Sequence, residues 1–144
     1  SSQDTTYIFE YYRNGQGYSA PEYENYLTFI ETGFDQYLNT SSLASISKSR
    51  TLSGYYNQQA AMRDYLYLKV SQKDPFDILY FTPAIIFIYN MTDQSGSITP
   101  QLTYSPLTNL TLDMKTALLL GEGKTEYGEK INNAKIVLSI KYYF

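Results

Sequence analysis

The 144-residue chain contains no cysteine, no histidine and no tryptophan. Without cysteine there is no disulfide framework and no thiolate metal site. Without histidine the commonest general base and the commonest metal ligand are gone. Serine–histidine hydrolysis therefore cannot be assembled from these residues alone. Long hydrophobic runs are missing too: the longest apolar stretch, Ile78 to Tyr89, is broken by Thr82 and Pro83. Nothing approaches the roughly 18 apolar residues a membrane-crossing helix requires. No basic run exists and the net charge is only −3, which argues against nucleic acid as a partner. The chain opens Ser-Ser-Gln-Asp-Thr-Thr, without Met or an apolar leader, as expected of a mature chain or of a piece of a longer one.

What the chain has in quantity is tyrosine, 17 residues of it beside 7 Phe. Tyrosine fits strands and the aromatic girdles of membrane interfaces. It fits the binding loops of a carbohydrate-binding β-sandwich equally well, so composition alone leaves both open. A mean hydropathy of −0.36 is no guide either, because half of every strand of a transmembrane barrel faces water.

Patterning is more informative. Six segments alternate with period two, the signature of strands with one apolar face. They run Thr6 to Asn14, Met62 to Lys73, Ile78 to Met91, Ser97 to Tyr104, Leu110 to Gly121 and Lys135 to Phe144. Most approach ten residues, the length a tilted membrane-crossing strand needs, whereas soluble strands average about half that. Short connections are expected at Asp74–Asp77 and Ser105–Asn109. Longer polar ones are expected at Gly15–Ala61, Thr92–Gly96 and Glu122–Ala134. Pro83 and Pro100 fall inside strands, where proline cannot donate to the ladder. Pro83 is expected near the start of its crossing and Pro100 at a bulge near the rim. The first long connection holds a helix. Ser19 and Glu22 form a capping box and Pro21 sits in the first turn. Tyr23, Tyr26, Leu27, Ile30, Phe34, Tyr37 and Leu38 follow at helical spacing to about Asn39. The Ser/Thr-rich stretch from Asn39 to Gly54 is expected to be irregular or only briefly helical.

The final strand carries a sharper signal. Ile136, Leu138, Ile140, Tyr142 and Phe144 share one face, and the chain stops on that phenylalanine. This resembles the C-terminal assembly signal of bacterial outer-membrane β-barrel proteins. The resemblance implies an all-β fold: an antiparallel transmembrane β-barrel, with residues 1–144 supplying six consecutive strands and one helix in a long extracellular loop at about 15–61. It also implies location in the bacterial outer membrane, with outer-membrane lipid and the barrel-assembly machinery as partners. Single-chain bacterial barrels have at least eight strands. Six would leave unpaired edges in lipid, so the remainder of a larger barrel or other chains must close the wall.

In such a barrel the second parity faces the lumen. It carries Glu10 in the first strand and Arg63, Tyr65, Tyr67 and Lys69 in the second. Gln101 follows in the fourth, Asp113 and Lys115 in the fifth, and Lys135, Ser139, Lys141 and Tyr143 in the sixth. The wall is polar, of mixed charge, with a cationic bias toward the end of the sheet. No catalytic set, cofactor site or metal site is evident. Gly121-Glu-Gly-Lys-Thr125 lacks the glycine a phosphate loop needs five residues before its Gly-Lys-Thr, since Leu118 stands there. Asn39, Asn90 and Asn109 match the glycosylation acceptor pattern by chance in a Ser/Thr-rich chain. The pairs Asp74/Asp77 and Glu122/Glu126 read as solvated turn residues rather than a hard-cation site. The expected function is a non-enzymatic one: a porin-like channel or transporter for small solutes, or a barrel that sheaths a partner protein. The rival from another class is a secreted, soluble β-sandwich that binds carbohydrate or protein through Tyr-rich loops.

Overall fold

The computed structural model describes residues 4–41, 43, 44, 46–48, 51 and 61–144. Six strands form one antiparallel sheet in chain order: β1 (Thr5–Arg13), β2 (Asp64–Gln72), β3 (Phe81–Asn90), β4 (Ser95–Leu107), β5 (Leu110–Leu120) and β6 (Ala134–Tyr142). Helix α1 (Ala20–Thr40) lies between β1 and β2, and a single 3-10 turn (Pro75–Asp77) lies between β2 and β3. Each strand pairs only with its neighbours in sequence. β1 and β6 do not meet, so the sheet is open and has two free edges. A barrel closed by this chain alone is therefore not what forms.

The register shows why the strands choose these partners. One row runs Phe9–Leu68–Phe87–Ile98–Leu118–Ala134 across all six strands. Another runs Thr6–Ser71–Ala84–Gln101–Lys115–Val137. A slip of one residue in any ladder would mix the two rows, so patterning itself pins the register. The first face is wholly uncharged between the rims. Aromatic residues gather at its ends: Tyr7, Phe81, Tyr104 and Tyr142 at the short-turn end, and Tyr11 and Tyr89 at the other. Phe81 and Tyr104 pack edge to face at 6.2 Å, as do Tyr142 and Phe144 at 5.2 Å. At the upper rim the Tyr11 hydroxyl donates to Asp64 Oδ1 at 2.5 Å, and Arg13 lies 3.8 Å from the same oxygen.

The apolar face is bare. Phe9 is 68 % exposed, Leu138 73 % and Ile140 75 %. Among the described elements, extensive contacts join only neighbouring strands. Burying a large apolar side chain is worth about 1.5–3 kcal/mol. About ten such side chains left in water would forfeit more than the roughly 5–15 kcal/mol that holds a whole domain together. The face requires a cover.

Both prolines are accommodated by where the ladders lapse. Pro83 lies one residue beyond Ala84, the last β3 partner of β2, so its missing N–H falls past the end of that ladder. Pro100 sits in the interval of β4, at Thr99 and Pro100, that has no β5 partner, while its ladder to β3 is unbroken. The expected bulge near Pro100 is instead a register shift between Tyr104 and Leu107, around Pro106. Connection lengths also differ from expectation. β4 begins at Ser95 and ends at Leu107, so β3 and β4 are joined by only Met91–Gln94, and β4 and β5 by only Thr108 and Asn109. Ser95 and Gly96, which read as turn residues, pair with Asn90 and Tyr89. The β2–β3 connection, expected as the tight turn Asp74–Asp77, spans the eight residues Lys73–Tyr80 and is longer than the four of β3–β4. The expected alternation of short turns and long loops is therefore not kept there, and only β1–β2 and β5–β6 are long. Of the Ser/Thr-rich stretch after α1, residues 41, 43, 44, 46–48 and 51 are described, and Ala44, Ile46, Ser47, Lys48 and Thr51 are helical; its other residues lie outside the described ones.

Candidate functional site

The second face is the candidate site, a mixed polar wall. Its strand charges are Glu10, Lys69, Asp113, Lys115, Lys135 and Lys141, interleaved with Tyr12, Tyr67, Gln101, Thr103, Ser139 and Tyr143. Ile86, Ile88, Leu119 and Val137 share it, so it is less uniformly polar than a stripe of charges. Near the short-turn end, Asp113 accepts from the Thr103 hydroxyl at 2.8 Å and from Lys141 Nζ at 3.0 Å, while Ser105 and Thr111 share a hydroxyl contact at 3.2 Å. These links cross β4, β5 and β6 and hold the side chains to the wall.

The opposite end is closed over by loops. The last row of this face is Tyr12–Tyr65–Asn90–Ser95. Onto it folds the β5–β6 connection, which delivers Glu126, only 5 % exposed. Glu126 Oε2 accepts from the Tyr65 hydroxyl at 2.6 Å and from Asn90 Nδ2 at 2.8 Å, and Oε1 accepts from the Ala61 N–H at 3.2 Å. The Glu126 N–H in turn donates to Asp93 Oδ2 at 2.6 Å. The other oxygen of Asp93 takes the Ser95 N–H at 3.0 Å and the Ser95 hydroxyl at 2.7 Å. Met62, fully buried, gives its N–H to the Tyr65 hydroxyl at 2.7 Å. A buried carboxylate is costly unless it is hydrogen-bonded, and here three donors from three stretches of chain supply those bonds.

Helix α1 is tied to the same end. Glu22 Oε2 accepts from the Ser19 N–H and the Ser19 hydroxyl, each at 2.7 Å, and from the Arg63 guanidinium at 3.1 Å. Arg63 Nε also donates to the Gly17 carbonyl at 2.9 Å. From the loop, Lys124 approaches Glu24 at 3.7 Å and donates to the Thr28 hydroxyl at 3.5 Å. Gly17 has no room for a side chain: a Cβ there would run into the Met62 carbonyl. The Ser19 N–H above all, with the Ser19 hydroxyl and Arg63 adding, holds the Glu22 carboxyl below its ordinary range. Burial pushes the Tyr127 phenol up to about 12, helped by the nearby charges of Glu126 and Asp93. Burial does the same for Tyr23 on α1, also to about 12, with Glu126, Glu129 and Asp93 adding. Tyr23 thus senses the carboxylates of the loop. A hollow of about 620 Å³ wraps the rim where the β3–β4 turn meets the β5–β6 loop, beside Gly96 and Gly121.

Of the residues expected on this wall, Glu10, Tyr65, Tyr67, Lys69, Gln101, Asp113, Lys115, Ser139 and Lys141 occupy one face in register. Tyr143 continues that parity just past β6, its N–H bonded to the Asn109 carbonyl. Arg63 departs from expectation: it falls just before β2 and its guanidinium belongs to α1 and Gly17 at the mouth. The terminal set Ile136, Leu138, Ile140 and Tyr142 lies on the apolar face, with Phe144 against Tyr142. Glu126, Asn90, Asp93 and Ser95 were not singled out as a cluster, because a buried glutamate in a polar loop has the same local sequence as an exposed one. Glu122 and Glu126 do not form a pair: Glu122 is exposed and its carbonyl accepts from the Thr125 hydroxyl. Asp74 accepts from the Tyr80 N–H and shapes its turn. Asn90 is fully buried and can carry no glycan. Lys124 serves α1 rather than a phosphate. Among the described residues no three acidic side chains converge as a metal ion would require. Among the described residues no helix is long and apolar enough to cross a membrane, which says nothing of crossing by strands. No known protein family, curated protein or solved structure matches the chain.

Proposed function

We propose that this sheet is a section of an outer-membrane β-barrel wall, with the bare apolar face against lipid and the mixed polar face toward a wet interior through which small solutes pass. The observation that carries the reading is the uncharged face itself. It extends in register over six strands of nine to thirteen residues and ends in aromatics at both rims. An apolar band flanked by aromatic girdles, with a polar opposite face, is the arrangement of transmembrane barrels. A sandwich would place a second sheet on that face at about 10 Å; the described strands all belong to one layer. The cap over the long-loop end narrows the entrance and leaves the wall below it polar. The free edges of β1 and β6 would pair with further strands, from the rest of a larger barrel or from other chains, since unpaired edges are not tolerated in hydrocarbon.

Fractionation and planar-bilayer recording test this. The protein is expected in the outer-membrane fraction, released only by detergent, and to give discrete conductance steps after reconstitution. Release as a monodisperse protein without detergent would refute the membrane assignment. Insertion without conductance would leave a barrel but remove the channel.

A further inference from the structure

We infer that the interior wall built by this chain prefers anions, so that the solutes it favours are small inorganic or carboxylate anions; this rests on the channel reading above. The argument is one of unpaired charge. The polar face carries four lysines against two carboxylates, Glu10 and Asp113. One of each sign cancels, because Lys141 stands 3.0 Å from Asp113. Asp113 is further occupied by the Thr103 hydroxyl at 2.8 Å. Among the described residues no ion pair within 4 Å neutralises Lys69, Lys115 or Lys135. Three ammonium groups with no ion partner within 4 Å therefore stand against one such strand carboxylate, Glu10, diagonal to Lys69 at the β1 edge. The carboxylates of Glu126 and Asp93 at the long-loop end are held in the hydrogen bonds of the cap.

Their placement matters as much as their number. Lys115 opposes Val137, Lys135 opposes Ala117, and Lys69 opposes Ile8 and Ile86. Lys69 and Lys135 thus stand among apolar partners on the same face, and Lys115 also faces the neutral Gln101 on β4, so no carboxylate lies directly across the strand from any of the three. Lys115 and Lys135 are diagonal neighbours about 7–8 Å apart at the backbone, so their fields add. Lys69 lies three strands from β5, about 14 Å along the sheet, and carries the positive field to the other side of the wall. The chain as a whole bears −3, and its rim residues Glu22, Glu24, Glu122 and Glu129 are acidic. The positive strip is confined to the interior face below the cap, where low-dielectric walls focus it.

The test is the zero-current potential of the intact protein in a planar bilayer under a potassium chloride gradient. The wild type is expected to prefer chloride. The triple variant Lys69→Gln, Lys115→Gln, Lys135→Gln is expected to lower the chloride-to-potassium permeability ratio at least ~3-fold, the effect of about one kT of wall potential. Lys48→Gln, at an exposed helical residue of the β1–β2 connection, is the control and should leave the ratio unchanged. Conductance with cation preference, or an unaltered ratio in the triple variant, overturns the anion inference and leaves the channel reading standing. Absence of conductance from correctly inserted protein overturns both. If the triple variant fails to insert, single Lys115→Gln and Lys135→Gln variants, each outside the apolar face, give the same comparison with smaller steps in the same direction.

Discussion

At the residue scale the molecule's most consequential side chain is Glu126, which the sequence reads as a solvated turn residue and the fold buries. Replacing it with leucine would strand the Tyr65 hydroxyl and Asn90 Nδ2 in a buried site. An orphaned buried polar group costs about 1–3 kcal/mol, so Glu126→Leu is expected to release the β5–β6 loop before the sheet melts. Limited proteolysis checks this: faster cutting near Lys130 in the variant supports the latch, and an unchanged digestion pattern refutes it. The phenols of Tyr23 and Tyr127 supply a second handle. Their folded values, about 12, stand above the ordinary 10.0 of a free tyrosine. The neutral forms therefore stabilise the capped state fully below pH 10, and that contribution is lost as pH rises from 10 toward 12. Phenolate absorbance should show Tyr23 and Tyr127 among the tyrosines that titrate late, and Tyr127→Phe should remove one of that group. Which glutamate is buried was not legible, because Glu122, Glu126 and Glu129 look alike in a polar loop; only the fold shows that Glu126 lands on Asn90 and Tyr65.

At the element scale all six strands were legible, their ends to within three residues, because a period of two with one greasy face leaves little choice of register. The helix was legible for a different reason: its start is written in Ser19, Pro21 and Glu22, and its stop at Ser41 is a left-handed C-cap whose N–H returns to the Tyr37 carbonyl. The turns were less so. Ser95 and Gly96 look like loop residues but extend β4, since small side chains suit the crowded rim, where a Cβ on Gly96 would come within 2.5 Å of the Ile88 carbonyl. The apolar face of β6 offers a discriminating substitution. Leu138→Lys places a charge where hydrocarbon is proposed, costing about 2–4 kcal/mol near a bilayer midplane. In water, an exposed position of this kind would tolerate the same change within about 0.5 kcal/mol. Folding yield into lipid vesicles, followed by gel mobility with and without heating, is expected to fall for Leu138→Lys and to hold for Ser139→Lys on the other face. The capping box adds an acid-sensitive element. Because Glu22 titrates below its unfolded value, its contribution is present above the usual carboxylate range and drains away as pH falls through the lowered value. Helical circular dichroism should decline on acidification, and Ser19→Ala should blunt that pH dependence.

At the scale of the whole molecule, two surfaces of opposite character share one layer, and the loops gather at one end of it. That arrangement has a geometric consequence. Six strands spaced about 4.8 Å apart make a ribbon only about 29 Å wide. Rolled on itself at the tilt barrels adopt, such a ribbon would be narrower than the eight-strand tube whose bore side chains already fill. Any aqueous passage must therefore draw part of its circumference from strands recruited along the two unpaired margins. In the proposed barrel, the calibre of the finished tube, and with it the largest molecule that could travel through, would be fixed by how many recruits those margins accept.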